Sequence, residues 1–156
     1  MAKSSKLHVM ISSRCDDFFP LNQEKTKLSN VRETLKEYIK DLKISNKNLF
    51  EVWISEDAPP ASGAMDSWEK CMDEAKKCDI LIVLYNGNAG WVESDKNNNI
   101  GICHAELMMG YNASPAKVRL IKLHSKKTQG DTEDSHHKEF QAYVKQQNLF
   151  RGGTVK

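Results

Sequence analysis

Glu106 is the residue best placed to do chemistry. It lies between Ala105 and Leu107 in a segment whose neighbours Ile102, Met108 and Met109 are apolar, so it does not belong to an evidently charged face. A carboxylate held at the mouth of an α/β crevice can face the positive charge that develops on a sugar carbon when a glycosidic bond breaks. A solvated surface glutamate is the competing reading. Cys103 and Glu106 share a helix face with Gly110, whose missing side chain is expected to leave space beside them. Arg14 follows an apolar run and has the geometry to grip a phosphate with two hydrogen bonds, or else to face solvent. Ser12 and Ser13 are suited to bonding a ribose or to closing a turn, the turn being the commoner use. Trp91 is placed to stack on a base, and Trp53, an aromatic in a strand, to fill core. Asn86, Gly87 and Gly90 permit close approach of backbone to a ligand, or simply a tight turn.

Other clusters are weaker. Asp16, Asp17, Glu56 and Asp57 read as solvated loop acids rather than a divalent-ion site, so no metal is expected. Cys103 and His104 are adjacent on a helix and point about 100° apart, which rules out a thiol–imidazole pair. His136 and His137 lie in a polar segment far along the chain from the rest and are set aside.

These residues need a scaffold, and the hydrophobic pattern supplies one. Residues 7–11 and 49–54 form short apolar runs. Residues 79–85 form a longer continuous one, the signature of a strand buried on both faces. Lys117 to Leu123 alternates and is expected nearer an edge. Val31, Leu35, Tyr38, Ile39 and Leu42 recur at helical spacing, with Arg32, Glu33, Lys36, Glu37 and Lys40 opposite and Ser29 as N-cap. Asp66 and Glu69 form a capping box before a helix whose apolar side is Trp68, Cys71, Met72 and Ala75. A third helix starts near Gly101, with Asn99 as N-cap, and stops before Pro115. The last covers residues 136–147, with Phe140, Tyr143 and Val144 turned inward. Strand–helix alternation of this kind predicts an α/β, flavodoxin-like three-layer fold with a mostly parallel sheet of four to five strands. Ligands bind such sheets at the carboxyl ends of the strands.

At 156 residues the chain is the size of one domain, assigned to residues 1–150, with 151–156 resembling the start of a linker. A net charge of +2 on scattered lysines is too mild for a nucleic-acid partner. No run approaches membrane-spanning length, and the polar start is no signal peptide. The four cysteines lack paired metal spacing, which fits reduced thiols in a cytoplasmic protein. The first loop lacks a Gly-x-Gly-x-x-Gly run, which disfavours ordinary dinucleotide binding there.

Three stretches together carry a family resemblance. They are Ile11-Ser12-Ser13-Arg14-Cys15-Asp16-Asp17-Phe18, Trp53-Ile54-Ser55-Glu56-Asp57-Ala58-Pro59-Pro60, and Tyr85-Asn86-Gly87-Asn88-Ala89-Gly90-Trp91 through Gly101-Ile102-Cys103-His104-Ala105-Glu106-Leu107. They resemble a TIR-like domain of unassigned function found at the N-terminus of bacterial STAND NTPases, the NLR-like defence sensors. The glutamate position is also similar to that of nucleoside 2-deoxyribosyltransferases. The resemblance implies cleavage of NAD at the nicotinamide–ribose bond, with NAD as substrate rather than cofactor and Glu106 as the catalytic carboxylate. Ser12, Ser13, Arg14, Trp53, Asn86, Gly87, Trp91 and Cys103 would then bind the substrate. It also implies self-association and attachment to downstream NTPase and sensor domains. Two alternatives stay open: a non-catalytic association module using the loop at residues 55–65, and a deoxyribosyltransferase or nucleotide hydrolase.

Overall fold

The computed structural model describes residues 6–13, 26–55, 67–87, 89, 100–123 and 135–149, with residues 67, 135 and 136 described by backbone alone. Its centre is a sheet of four parallel strands: β1 (Leu7–Ser12), β4 (Phe50–Trp53), β5 (Ile80–Tyr85) and β6 (Val118–Lys122), in the order β4-β1-β5-β6. Helix α1 (Leu28–Lys40) links β1 to β4, α2 (Ser67–Lys77) links β4 to β5, and α3 (Ile102–Ala113) leads to β6 through a single 3-10 turn at Pro115–Lys117. Helix α4 (Ser135–Gln146) follows. The expected α/β, flavodoxin-like three-layer architecture is what the chain adopts. After α1 the chain steps to one side of β1, and after α2 to the other. The change of direction therefore falls between β1 and β5, where the strand ends leave a crevice in folds of this type.

Strand alternation sorts the core into two layers. Val9 and Ile11 of β1, with Leu84 of β5, face Leu28 and Ile39 of α1. Met10 of β1 and Leu81, Val83 and Tyr85 of β5 face the opposite layer, built from Ala75 of α2, Cys103 and Leu107 of α3, and Phe140 and Val144 of α4. Ser12 has the same parity as Met10, so its side chain is directed at the α2–α3–α4 side. That parity decides which helix it meets.

Several local expectations change. Helix α1 has Lys27, not Ser29, at its N-cap, without a side-chain capping bond, and Ser29 lies inside the helix. Tyr38 is 67% exposed rather than inward, and Leu42 falls beyond the helix end and is exposed. Arg32, expected in water, is 2% exposed. The physical reason is spacing: Arg32 stands four residues after Leu28, three before Leu35 and seven before Ile39, on the buried stripe itself. The stretch after α1 is a small hairpin, β2 (Lys43–Ile44) and β3 (Lys47–Asn48), rather than a plain helix end. Ser45 and Asn46 sit at φ 52° and 63°, the left-handed pair that a two-residue type I′ turn requires. Asn99 and Asp66, read as caps, lie outside the described residues; the N-cap of α3 is Gly101. Among the described residues no helix is long and apolar enough to cross a membrane.

Candidate functional site

Helix α3 is mostly apolar, and its first two turns are buried between the sheet and neighbouring helices. Glu106 and His104 are the polar residues of that stretch and are buried with it, Glu106 at 4% exposure. Its carboxylate is held in place: Ser12 Oγ donates to Glu106 Oε1 at 3.1 Å, joining residues 94 apart in the chain. This bond follows from two local rules, the parity that turns Ser12 toward α3 and the helical phase that turns Glu106 toward β1. Burying a carboxylate without hydrogen bonds costs several kcal/mol, so the hydroxyl's orientation matters to the fold as well as to any chemistry.

The next residue is tied to the other layer. Ser13 O accepts from Arg32 Nη1 of α1 at 3.1 Å, and Ser13 is itself buried. The carboxyl end of β1 is therefore pinned from both sides, by a carboxylate above and a guanidinium below. Arg32 is a residue of the candidate site that the helical reading misplaced. The Leu28, Leu35 and Ile39 spacing was the signal for it.

Just past the end of β5, Ala89 is fully buried. Its carbonyl accepts from Cys103 N at 2.8 Å, and its N–H donates to His137 Nδ1 at 2.9 Å. A Cβ at Gly101 would collide with the Ala89 carbonyl, so only glycine lets the loop lie this close to the start of α3. Gly87 takes φ 88°, open to glycine at no steric cost, and its carbonyl accepts from Gln141 Nε2 at 2.9 Å. His137, set aside on sequence grounds, thus reaches the candidate site from α4. Its ring shares a face with Phe140 (three residues on) and Val144 (seven on), the spacing that could have revealed it.

His104 is 5% exposed and lies against Phe140 and Tyr143 of α4, at centroid distances of 5.3 and 5.1 Å. Burial pushes its pKa below the ordinary histidine value, Glu139 opposing, so the ring is neutral in the folded protein at pH 7. Tyr85, edge-on to Phe140 at 5.2 Å, has its pKa pushed up to about 12 by burial and stays a phenol.

The predicted residues divide as follows. Glu106 and Ser12 are brought together, with Ser13 adjoining. Asn86 and Gly87 lie at the end of β5, and Cys103 is buried one turn before Glu106, against Ala89. Trp53 packs half-buried on the same layer, from the end of β4. Arg14 and Trp91 lie outside the described residues. Gly110 does not open space: a Cβ there would run into Leu81 Cδ2, so the missing side chain is filled by β5. Cys71, Cys78 and Cys103 are buried and are not in disulfides. Among the described residues no group of three or more His, Cys, Asp or Glu could hold a metal ion. A cavity of about 460 Å³ lies elsewhere, along α1 between Val31, Leu35 and Tyr38.

Fold and site together define a parallel α/β protein with a hydrogen-bonded carboxylate buried at the carboxyl edge of its sheet. The chain belongs to the family described as Domain of unknown function (DUF4062), whose profile it matches over residues 8–152. No curated protein and no solved structure matches it.

Proposed function

We propose that the domain is a TIR-like effector that cleaves the nicotinamide–ribose bond of NAD or a related nucleotide, with Glu106 as the reacting carboxylate. The observation that carries this reading is the burial of Glu106 at the carboxyl edge of the sheet with Ser12 donating to it. In such a reaction the C1′–N bond breaks, its electron pair goes to the pyridinium nitrogen, and neutral nicotinamide leaves. The carboxylate stabilises or traps the oxocarbenium-like C1′, and water completes the ribose with loss of a proton. Ser12 fixes one carboxylate oxygen. Asn86, Gly87 and Trp91 would hold the nucleotide, with Arg14 on its phosphates. The buried edge supplies the dry, preorganised environment in which a fixed charge acts strongly. On this reading the domain works in the cytoplasm, as the effector part of a longer defence protein whose sensor modules assemble it.

The test is nicotinamide release from NAD by concentrated or artificially oligomerised protein. Glu106→Gln is expected to lower the rate by about a hundredfold or more, the scale seen when one electrostatic stabiliser is removed. No release from the wild-type protein, or equal release from the variant, overturns the proposal. A second reading, association without turnover, draws support from Tyr38 and Ile44, which are 67% and 63% exposed. Under it, Tyr38→Glu abolishes function while Glu106→Gln leaves it intact.

A further inference from the structure

Among the described residues of the loop that leaves β5 toward the candidate site, three hydrogen bonds tie it to helices α3 and α4. Ala89 O accepts the Cys103 amide at the first turn of α3, Ala89 N–H donates to His137 Nδ1, and Gly87 O accepts from Gln141 Nε2. Two of the three come from α4. His137 and Gln141 are four residues apart and so lie on one face of that helix. The helix is also seated by other residues, by Phe140 and Val144 in the core and by the packing of Phe140 and Tyr143 against His104, the first stacked and the second tilted. A rigidly seated helix that presents one acceptor and one donor to consecutive parts of a loop has the geometry of a clamp.

We propose that His137 and Gln141 are positioning residues: they hold the strand-end loop on the first turn of the helix that carries Glu106, making α4 the clamp of the candidate site. Its functional meaning rests on the reading of Glu106 given above; the clamp itself does not. His137 must present an unprotonated Nδ1 to accept the Ala89 amide, which places its proton on Nε2. The chemistry asked of residue 137 is therefore narrow, an acceptor at one position. Asparagine can offer its amide oxygen near the place of Nδ1, whereas leucine fills the volume and offers nothing.

Amide hydrogen exchange, followed residue by residue by NMR, reads the clamp without any turnover. Its outcome is thus separate from that of the NAD assay. In His137→Leu the Ala89 amide is expected to exchange about tenfold faster, and in His137→Asn to return to within about threefold of wild type. Adding Gln141→Leu to His137→Leu should extend the loss to the Cys103 amide, while Met10 and Val83 in the central strands keep their protection. Three results overturn the proposal: Ala89 unchanged in His137→Leu, no rescue by asparagine, or protection lost equally across β1 and β5. Should His137→Leu fail to fold, Gln141→Leu alone decides, since Gln141 is only partly buried. It must shift the Asn86 and Gly87 resonances and speed Ala89 exchange about threefold, and no change overturns the proposal.

Discussion

The two edges of the central sheet handle polar groups in opposite ways. At the amino edge they are met in or near water. The His8 amide donates to Asp79 Oδ2 at 2.8 Å, the Asp79 amide returns a bond to His8 O, and His8 pairs with Glu51 at 3.3 Å with both side chains about half exposed. The Lys117 ammonium caps the end of α2 by donating to the carbonyls of Ala75, Lys76 and Cys78 at 2.8–2.9 Å. At the carboxyl edge the polar groups are buried. Ser12, Ser13, Arg32, His104, Glu106 and His137 are the buried polar residues of the described chain. All of them lie at the end of β1 or within the first five residues of a helix. Each buried polar group carries a desolvation cost that an apolar residue would avoid. Concentrating that cost on the edge where such sheets bind ligands is the pattern of a functional site held against stability. The described polar contacts of the amino edge join one structural element to another.

That contrast can be broken in order of size. Gly101→Ala, at the carboxyl edge, should cost about 3 kcal/mol in chemical denaturation, because the added methyl meets Ala89 backbone that cannot swing away. Gly110→Ala, nearer the other end of α3, should cost less, because it meets the tip of the Leu81 side chain. Equal losses would mean that the Ala89 loop is looser than its contacts suggest. Lys117→Met should cost roughly 2 kcal/mol, the scale of a charge-assisted cap on helix carbonyls. A change of less than about 0.5 kcal/mol would mean that this amino-edge contact does little for stability.

The edges should also differ in their response to acid. His104 has a folded-state pKa below its unfolded one, so the unfolded chain binds the proton more readily. The contribution of its neutral ring is present in full above the ordinary histidine value of about 6.5 and falls away as pH drops below it. Urea midpoints measured from pH 7.5 down to 5.5 should decline in the wild type, and His104→Leu should flatten that decline. A variant with the wild-type slope would refute the assignment. The smallest effect belongs to Glu51→Gln, whose half-exposed pair with His8 is worth under about 0.5 kcal/mol and should vanish in high salt.

Much of this organisation was legible along the chain. The run at residues 80–85 announced a central strand, and the alternation of strands and helices announced the layers. Glu106 stood out as an acid in an apolar helix, and its burial bears out that anomaly. Arg32 and His137 went unread because each was judged by its polar neighbours rather than by its phase. Arg32 shares the stripe of Leu28, Leu35 and Ile39, and His137 that of Phe140 and Val144. Gly110 was read the wrong way round, since a missing side chain can receive a neighbour as readily as leave a void.

Local pattern alone determined the order and type of the main elements, because hydrophobic period and turn chemistry act over a few residues. Only the tertiary structure decided which polar groups meet. Ser12 and Glu106 are 94 residues apart, and Ala89 and His137 are 48 apart. Their pairing depends on strand order, strand parity and helix phase acting together, and none of these can be read from any one segment of the chain.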